Sequence, residues 1–160
     1  MALSQVAVAA VLATAEFCVQ PVEGGVGDPL FCRMTTSQEV STPYFSIVVE
    51  AGFFVGVDRE GRRILVQSSV FKNHDTLTIE ALEGSSLPVW SDCPRVDEFT
   101  ESGVMWQDCH TTSNGHYTRR LAAALSDRHV LIEYSYTALG TRSGPALERM
   151  TQSINVQATQ

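Results

Sequence analysis

Four histidines, His74, His110, His116 and His129, are the side chains of this sequence best suited to moving protons near neutral pH. Each falls beside a turn or at a strand end, where histidine is ordinarily a solvated polar residue. Asp108, His110 and Ser113 lie close together and contain the residue types of a hydrolytic triad, but a triad is defined by geometry rather than spacing. No Gly-x-Ser-x-Gly elbow is present to present a serine nucleophile. Asp97 and Glu98 are paired carboxylates of the kind glycosidases use. As neighbours on an extended strand, however, they point to opposite faces. Gly24-Gly25-Val26-Gly27 does not sit between a strand and a helix, so it is not read as a phosphate cradle, and no other nucleotide- or metal-binding motif occurs. No catalytic residue, metal or cofactor is therefore assigned, and the chain is expected not to be an enzyme.

Cysteine supplies the other reactive chemistry. Cys18, Cys32, Cys93 and Cys109 form an N-terminal and a C-terminal pair, each enclosing a short polar or glycine-rich stretch. Four cysteines allow three connectivities, and the sequence does not choose among them. Local closure, Cys18 with Cys32 and Cys93 with Cys109, is the expectation, each bridge contributing on the order of 3 kcal/mol. Neither pair has the spacing of a zinc knuckle. Disulfides imply export, and residues 1–15 read as a signal peptide. Val6 to Leu12 is an apolar run too short for a membrane span of about 20 residues. It leads into Ala13-Thr14-Ala15, a small-x-small cleavage pattern, although Met1 to Gln5 lack the usual Lys or Arg. The alternative is an alanine-rich core helix. Residues 16–160 are then one disulfide-bonded domain, periplasmic or secreted, with no membrane insertion.

Net charge narrows the partner. The 160 residues carry 18 acidic and 11 basic side chains, a balance of −7, and Lys72 is the sole lysine. A phosphate backbone is repelled by such a chain, which excludes nucleic acid, whereas a basic protein surface is attracted. Much of the excess is local. Between Glu83 and Asp108, six acidic residues stand against Arg95, interleaved with Leu87, Val89, Trp90, Phe99, Met105 and Trp106. The plain reading is a solvated loop with its apolar residues tucked into the core. The sharper one is a protein-binding surface of aromatic anchors inside a charged rim, made of Trp90, Asp92, Asp97, Glu98, Phe99 and Glu101. A Cys93–Cys109 bridge would pre-order it.

The elements that must position this segment are mainly strands. Tyr44–Glu50, Gly52–Val57, Arg63–Val70 and Thr76–Ala81 carry β-branched, aromatic or alternating patterns. Glu83–Gly103 reads as a long loop. Val104–Cys109 and His116–Leu125 flank the hairpin signal Ser113-Asn114-Gly115, although Leu121–Leu125 is equally compatible with helix. Val130–Tyr136 is the last strand, and Leu147, Met150, Thr151 and Ile154 mark one side of a closing helix with Pro145 in its first turn. The expected fold class is α+β: an antiparallel β-sheet or sandwich with a packed C-terminal helix.

Over residues 40–156 this order of elements resembles the PsbP-like fold. The resemblance rests on the hairpins, the long acidic excursion, the strand Val130–Tyr136 and the helix Ala146-Leu147-Glu148-Arg149-Met150-Thr151-Gln152-Ser153-Ile154. It implies an adaptor, chaperone or stabilising role. Among exported proteins it is similar to small periplasmic immunity proteins of bacterial secretion-system toxins. The expected function is accordingly an immunity or inhibitor protein that blocks the active-site cleft of a secreted toxin such as a cell-wall hydrolase. The alternatives are an adaptor or stabilising subunit of an envelope complex, and a hydrolase with an unrecognised site.

Overall fold

The computed structural model describes residues 15–19, 31–69, 75–137 and 143–157. Twelve strands and one helix occur among them: β1 Ala15–Val19, β2 Phe31–Met34, β3 Gln38–Ser41, β4 Phe45–Val49, β5 Phe54–Val57, β6 Arg63–Gln67, β7 Thr76–Glu83, β8 Val96–Glu101, β9 Val104–Ser113, β10 His116–Ala124, β11 Arg128–Thr137, α1 Ser143–Gln152 and β12 Asn155–Val156. Nine strands form one antiparallel sheet in the order β1-β2-β5-β6-β7-β11-β10-β9-β8, and a second sheet runs β12-β4-β3. The fold is a sheet-dominated α+β fold. The leader assigned to residues 1–15 lies outside the described residues except for Ala15, where β1 starts, and so does His74.

Period-two patterning builds the core. Leu77, Ile79 and Ala81 of β7 are buried while Thr76, Thr78 and Glu80 face outward, and across the ladder Val130, Ile132 and Tyr134 of β11 do the same. Alternating apolar side chains on adjacent strands therefore fall on a single face. Phe45, Ile47 and Val49 from β4 join the same cluster, with Ala146, Leu147 and Met150 from α1.

Helix α1 buries residues at helical spacing against β11, β7 and β4. Asp75 anchors its start. Its carboxylate accepts hydrogen bonds from the Ser143 hydroxyl and from the backbone N–H of Thr137, tying the end of β11 to the first turn. Gly144 sits at the closest approach, where a Cβ would lie 3.0 Å from the Tyr136 ring and the ring would have to give way. At the other end Arg149 makes a bidentate pair with Glu50, at 2.7 and 3.0 Å.

Two expectations need correction, and an alternative left open at Leu121–Leu125 is decided for the strand. Glu83–Gly103 is not a loop throughout, because Val96–Glu101 is strand β8, hydrogen-bonded along β9. The acidic side chains that made the segment look like loop are those an exposed edge strand can keep in water. Leu121–Ala124 is strand rather than helix, since its neighbours β9 and β11 supply ladder partners that outweigh the helix propensity of leucine and alanine. Strand β6 ends at Gln67, before Val70, which lies outside the described residues.

Candidate functional site

Strand β8 is the last strand of the nine-stranded sheet, and all six of its residues are exposed. It turns into β9 through Ser102 and Gly103, with φ of 52° and 77°. Positive φ at both central residues is what a tight type I′ hairpin requires, and glycine supplies the second without strain. The register places Asp97 beside Asp108, Phe99 beside Trp106 and Glu101 beside Val104. Asp97, Phe99 and Glu101 thus share one face, and Val96, Glu98 and Thr100 the other.

The hairpin is held at both ends. Opposite its turn, a disulfide joins Cys93 to Cys109, with Cα atoms 6.2 Å apart. Cys109 is buried, so the bridge pins the segment before β8 onto the sheet. Cys32 is disulfide-bonded too, and its Cα partner across the β1–β2 ladder is Cys18. Asp92 sits on the pinned segment and receives two hydrogen bonds from one nitrogen of Arg120, at 2.8 and 2.9 Å, while Nε of Arg120 donates to Glu133. The hydrogen bond from Arg120 and its positive charge hold the Asp92 carboxyl below its usual pKa.

Of the large apolar side chains exposed among the described residues, three lie on this hairpin, Met105 at 45%, Phe99 at 40% and Val96 at 36%, and Val89, at 93%, lies on the segment that leads into it. Val48, at 40%, is the exception. Phe99 stacks on Trp106 with ring centroids 6.3 Å apart and planes 6° from parallel. The edge combines exposed apolar surface with carboxylates, and those carboxylates differ. Asp97 pairs with Arg95 at 2.7 Å and Glu98 accepts from the Gln107 amide at 3.0 Å. Asp97, Glu98, Phe99 and Glu101 are therefore brought together on one strand. Trp90, half-buried, and Asp92 are set apart from them on the adjoining segment, Asp92 engaged by Arg120.

A second constellation lies next to the hairpin, on the face shared by Asp97 and Phe99. Arg119 donates to both oxygens of Asp108, at 3.0 and 2.8 Å. His110 Nε2 lies 3.2 Å from Asp108 Oδ1, and its Nδ1 is 2.6 Å from the Tyr117 hydroxyl. For a neutral imidazole, the consistent assignment has Nε2–H donating to Asp108 and Nδ1 accepting from Tyr117. Ser113 is therefore not the third member of a triad; the Tyr117 hydroxyl occupies that position. Sequence reading could not find this group, because Tyr117 and Arg119 reach Asp108 and His110 only through the β9–β10 register.

The network is electrostatically settled. Burial opposes ionisation of Asp108, but the hydrogen bonds and charge of Arg119, and then His110, outweigh it and hold the carboxyl below its usual value. Burial, with Tyr134 next, pushes the Tyr117 phenol up to about 12 from 10.0. Tyr117 stays a neutral donor at physiological pH and packs against Tyr134 and Tyr136. A raised value means that the neutral phenol favours the fold below its ordinary value, and that this advantage disappears as pH rises towards 12. Between those limits wild-type protein is expected to lose more stability than Tyr117→Phe, as read from urea midpoints at pH 9 and 11. Of the remaining histidines, His116 is exposed beside the Asn114-Gly115 turn, and His129 Nδ1 contacts the carbonyl of Gly84 at 2.6 Å. Among the described residues no cluster of three His, Cys, Asp or Glu side chains is arranged to hold a metal ion.

The overall fold has a counterpart among solved structures. The cyanobacterial PsbP protein CyanoP from Synechocystis sp. PCC 6803 superposes with a TM-score of 0.53 at 11% identity, covering 86% of this chain and all (100%) of that one. The fold is PsbP-like. A protein from Bacteroides thetaiotaomicron superposes with a TM-score of 0.48 at 9% identity over 78% of this chain, which spans about half (49%) of that protein's length. No family model matches the sequence, and no curated protein matches it. A formed disulfide, as in this PsbP-like domain, persists outside the reducing cytosol and fits an extracellular or lumenal protein. Among the described residues, no helix is long and apolar enough to cross a membrane.

Proposed function

We propose that the protein works by binding rather than by turnover. It acts as an immunity or inhibitor protein in the periplasm or outside the cell, and covers the active-site cleft of a secreted toxin such as a cell-wall hydrolase. The observation that carries this reading is the clustering of exposed apolar side chains around an acidic edge strand fixed at both ends. Interfaces gain affinity from aromatic anchors such as Phe99 and gain association rate from complementary charge. A disulfide-held hairpin loses little conformational freedom when a partner closes on it. The two sheets and α1 contribute to one core, which we read as a sandwich closed by a helix, a stiff support behind the edge.

The test is affinity capture from the envelope fraction of the producing organism, followed by association kinetics with the captured enzyme. Asp97→Lys/Glu98→Lys/Glu101→Lys is expected to slow association by about tenfold or more at low ionic strength. Unchanged rates remove the edge from the interface. A captured multi-subunit assembly, bound through α1 or the sheet face, would point instead to an adaptor or stabilising subunit. The run Asp108–His110–Tyr117 favours a second reading, a hydrolase. Turnover by the purified protein that Tyr117→Phe abolishes would establish it.

A further inference from the structure

We infer that the open edge of β8 takes an extended, basic strand of the partner as a tenth strand of the sheet; this inference rests on the binding role proposed above. Sheet edges are normally blunted by proline, charged side chains, bulges or cover, and of these β8 carries only negative charge, which a basic strand would neutralise. Val96–Glu101 contains no proline and no basic residue, and among the described residues no backbone group outside β9 pairs with it. The type I′ turn closes on Glu101 and Val104, which makes them a doubly hydrogen-bonded pair, and such pairs alternate along the ladder. The backbone N–H and C=O groups of Val96, Glu98 and Thr100 then point away from β9 and are free to pair.

The distribution of side chains favours addition at the edge over docking on a face. Phe99 lies on one side of the hairpin and Val96 and Met105 on the other. A flat partner would meet only one of these surfaces. An added strand alternates its side chains above and below the sheet and meets both. Charge selects the occupant. Asp97, Glu98 and Glu101 repel a second copy of β8, because self-pairing would bring both sets of carboxylates onto adjacent strands, and they attract lysine or arginine on a foreign one. Main-chain pairing supplies affinity, and the acidic side chains supply selectivity for a basic partner.

The probe is a capped, fluorescein-labelled octapeptide alternating lysine and valine, with two further versions N-methylated on every second amide in the two registers. Wild-type protein is expected to bind the parent peptide saturably. One N-methylated register should bind at least about tenfold more weakly, and the other within about twofold of the parent. Thr100→Pro removes an outward N–H that the sheet does not use and is expected to weaken parent binding by a similar factor. Because the peptide series uses unaltered protein, its outcome does not depend on that variant folding. Equal binding of both N-methylated forms overturns strand addition, since charge alone then holds the peptide. Failure of the parent peptide to bind overturns it as well. A wild-type dimer in sedimentation that Thr100→Pro dissolves overturns the basic occupant in favour of a second copy. If strand addition fails while the triple charge reversal still slows the captured partner, the binding role stands without it; if both fail, β8 is not the contact.

Discussion

Arg119→Met is expected to lower the free energy of unfolding by about 3 kcal/mol or somewhat more, because it leaves the Asp108 carboxylate buried without its principal partner. Asp108 is 8% exposed and receives both guanidinium hydrogen bonds, so water cannot easily replace them. The contact with His110 is single and longer. Replacing both partners, as in Asp108→Leu/Arg119→Met, is expected to recover part of the loss, because no uncompensated charge remains. The pH dependence has a definite sign. The folded-state pKa of Asp108 is depressed, so its pairing stabilises the protein fully above the ordinary carboxylate value of 3.8 and is lost as pH falls through the lower folded value. The difference between wild type and Arg119→Met therefore narrows in acid, where the carboxyl takes up a proton. Urea unfolding at pH 7 and pH 3 measures it. A constant difference across that range would mean that the loss comes from packing of the arginine stem.

Removing the second bridge is nearly as costly. Cys93→Ser/Cys109→Ser is expected to destabilise the protein by about 3 kcal/mol, the loop-closure entropy of a bridge across 16 positions. The effect should also be local. Besides the packing of half-buried Trp90, what remains to hold the segment before β8 is the pair between Arg120 and Asp92, whose carboxylate is well exposed, and such surface pairs contribute little. Without the disulfide the segment is expected to lift from the sheet and expose Cys109's position and Ala122, both buried in the native protein. Amide exchange should accelerate in residues 86–95 and in β9 and β10 around those positions, while β6 and β7 stay protected. Unchanged exchange in β9 and β10 would show that side-chain packing alone retains the segment.

The core strands were legible because their sequence pattern and their environment agree. Thr76–Ala81 alternates in sequence and in burial, and Leu147, Met150 and Thr151 lie on the buried side of α1, as their spacing indicates. Strand β8 was illegible for the converse reason. An edge strand exposed on both faces has no buried side to impose alternation, so Val96–Glu101 presents only acidic and mixed residues, and its identity comes from its ladder with β9. Leu121–Ala124 has intrinsic preferences that favour helix, and tertiary pairing overrides them. Strands β1, β2 and β3 span four or five residues each, as do β4, β5 and β6, but Ala15–Val19, Phe31–Met34 and Gln38–Ser41 lack the clustered β-branched residues that mark Phe45–Val49 and Arg63–Gln67.

The candidate site divides along the same line. Asp97, Glu98, Phe99 and Glu101 stood out by composition, and the structure groups them because they are sequential on one strand. Asp92 looked equivalent by charge, yet Arg120, 28 positions away, engages it, and no local pattern signals that partner. The same holds for Tyr117 and Arg119, which meet Asp108 and His110 through strand pairing.

Hydrogen–deuterium exchange of the protein alone and bound to its captured partner is the most direct measurement of where that partner sits. Amides of Val96–Glu101 are expected to exchange rapidly in the free protein at the outward positions Glu98 and Thr100, and to become strongly protected in the complex, with Phe99 and Trp106 losing solvent access. Protection confined to α1 or to the β3–β4 sheet, with residues 96–101 exchanging as in the free protein, would contradict the account.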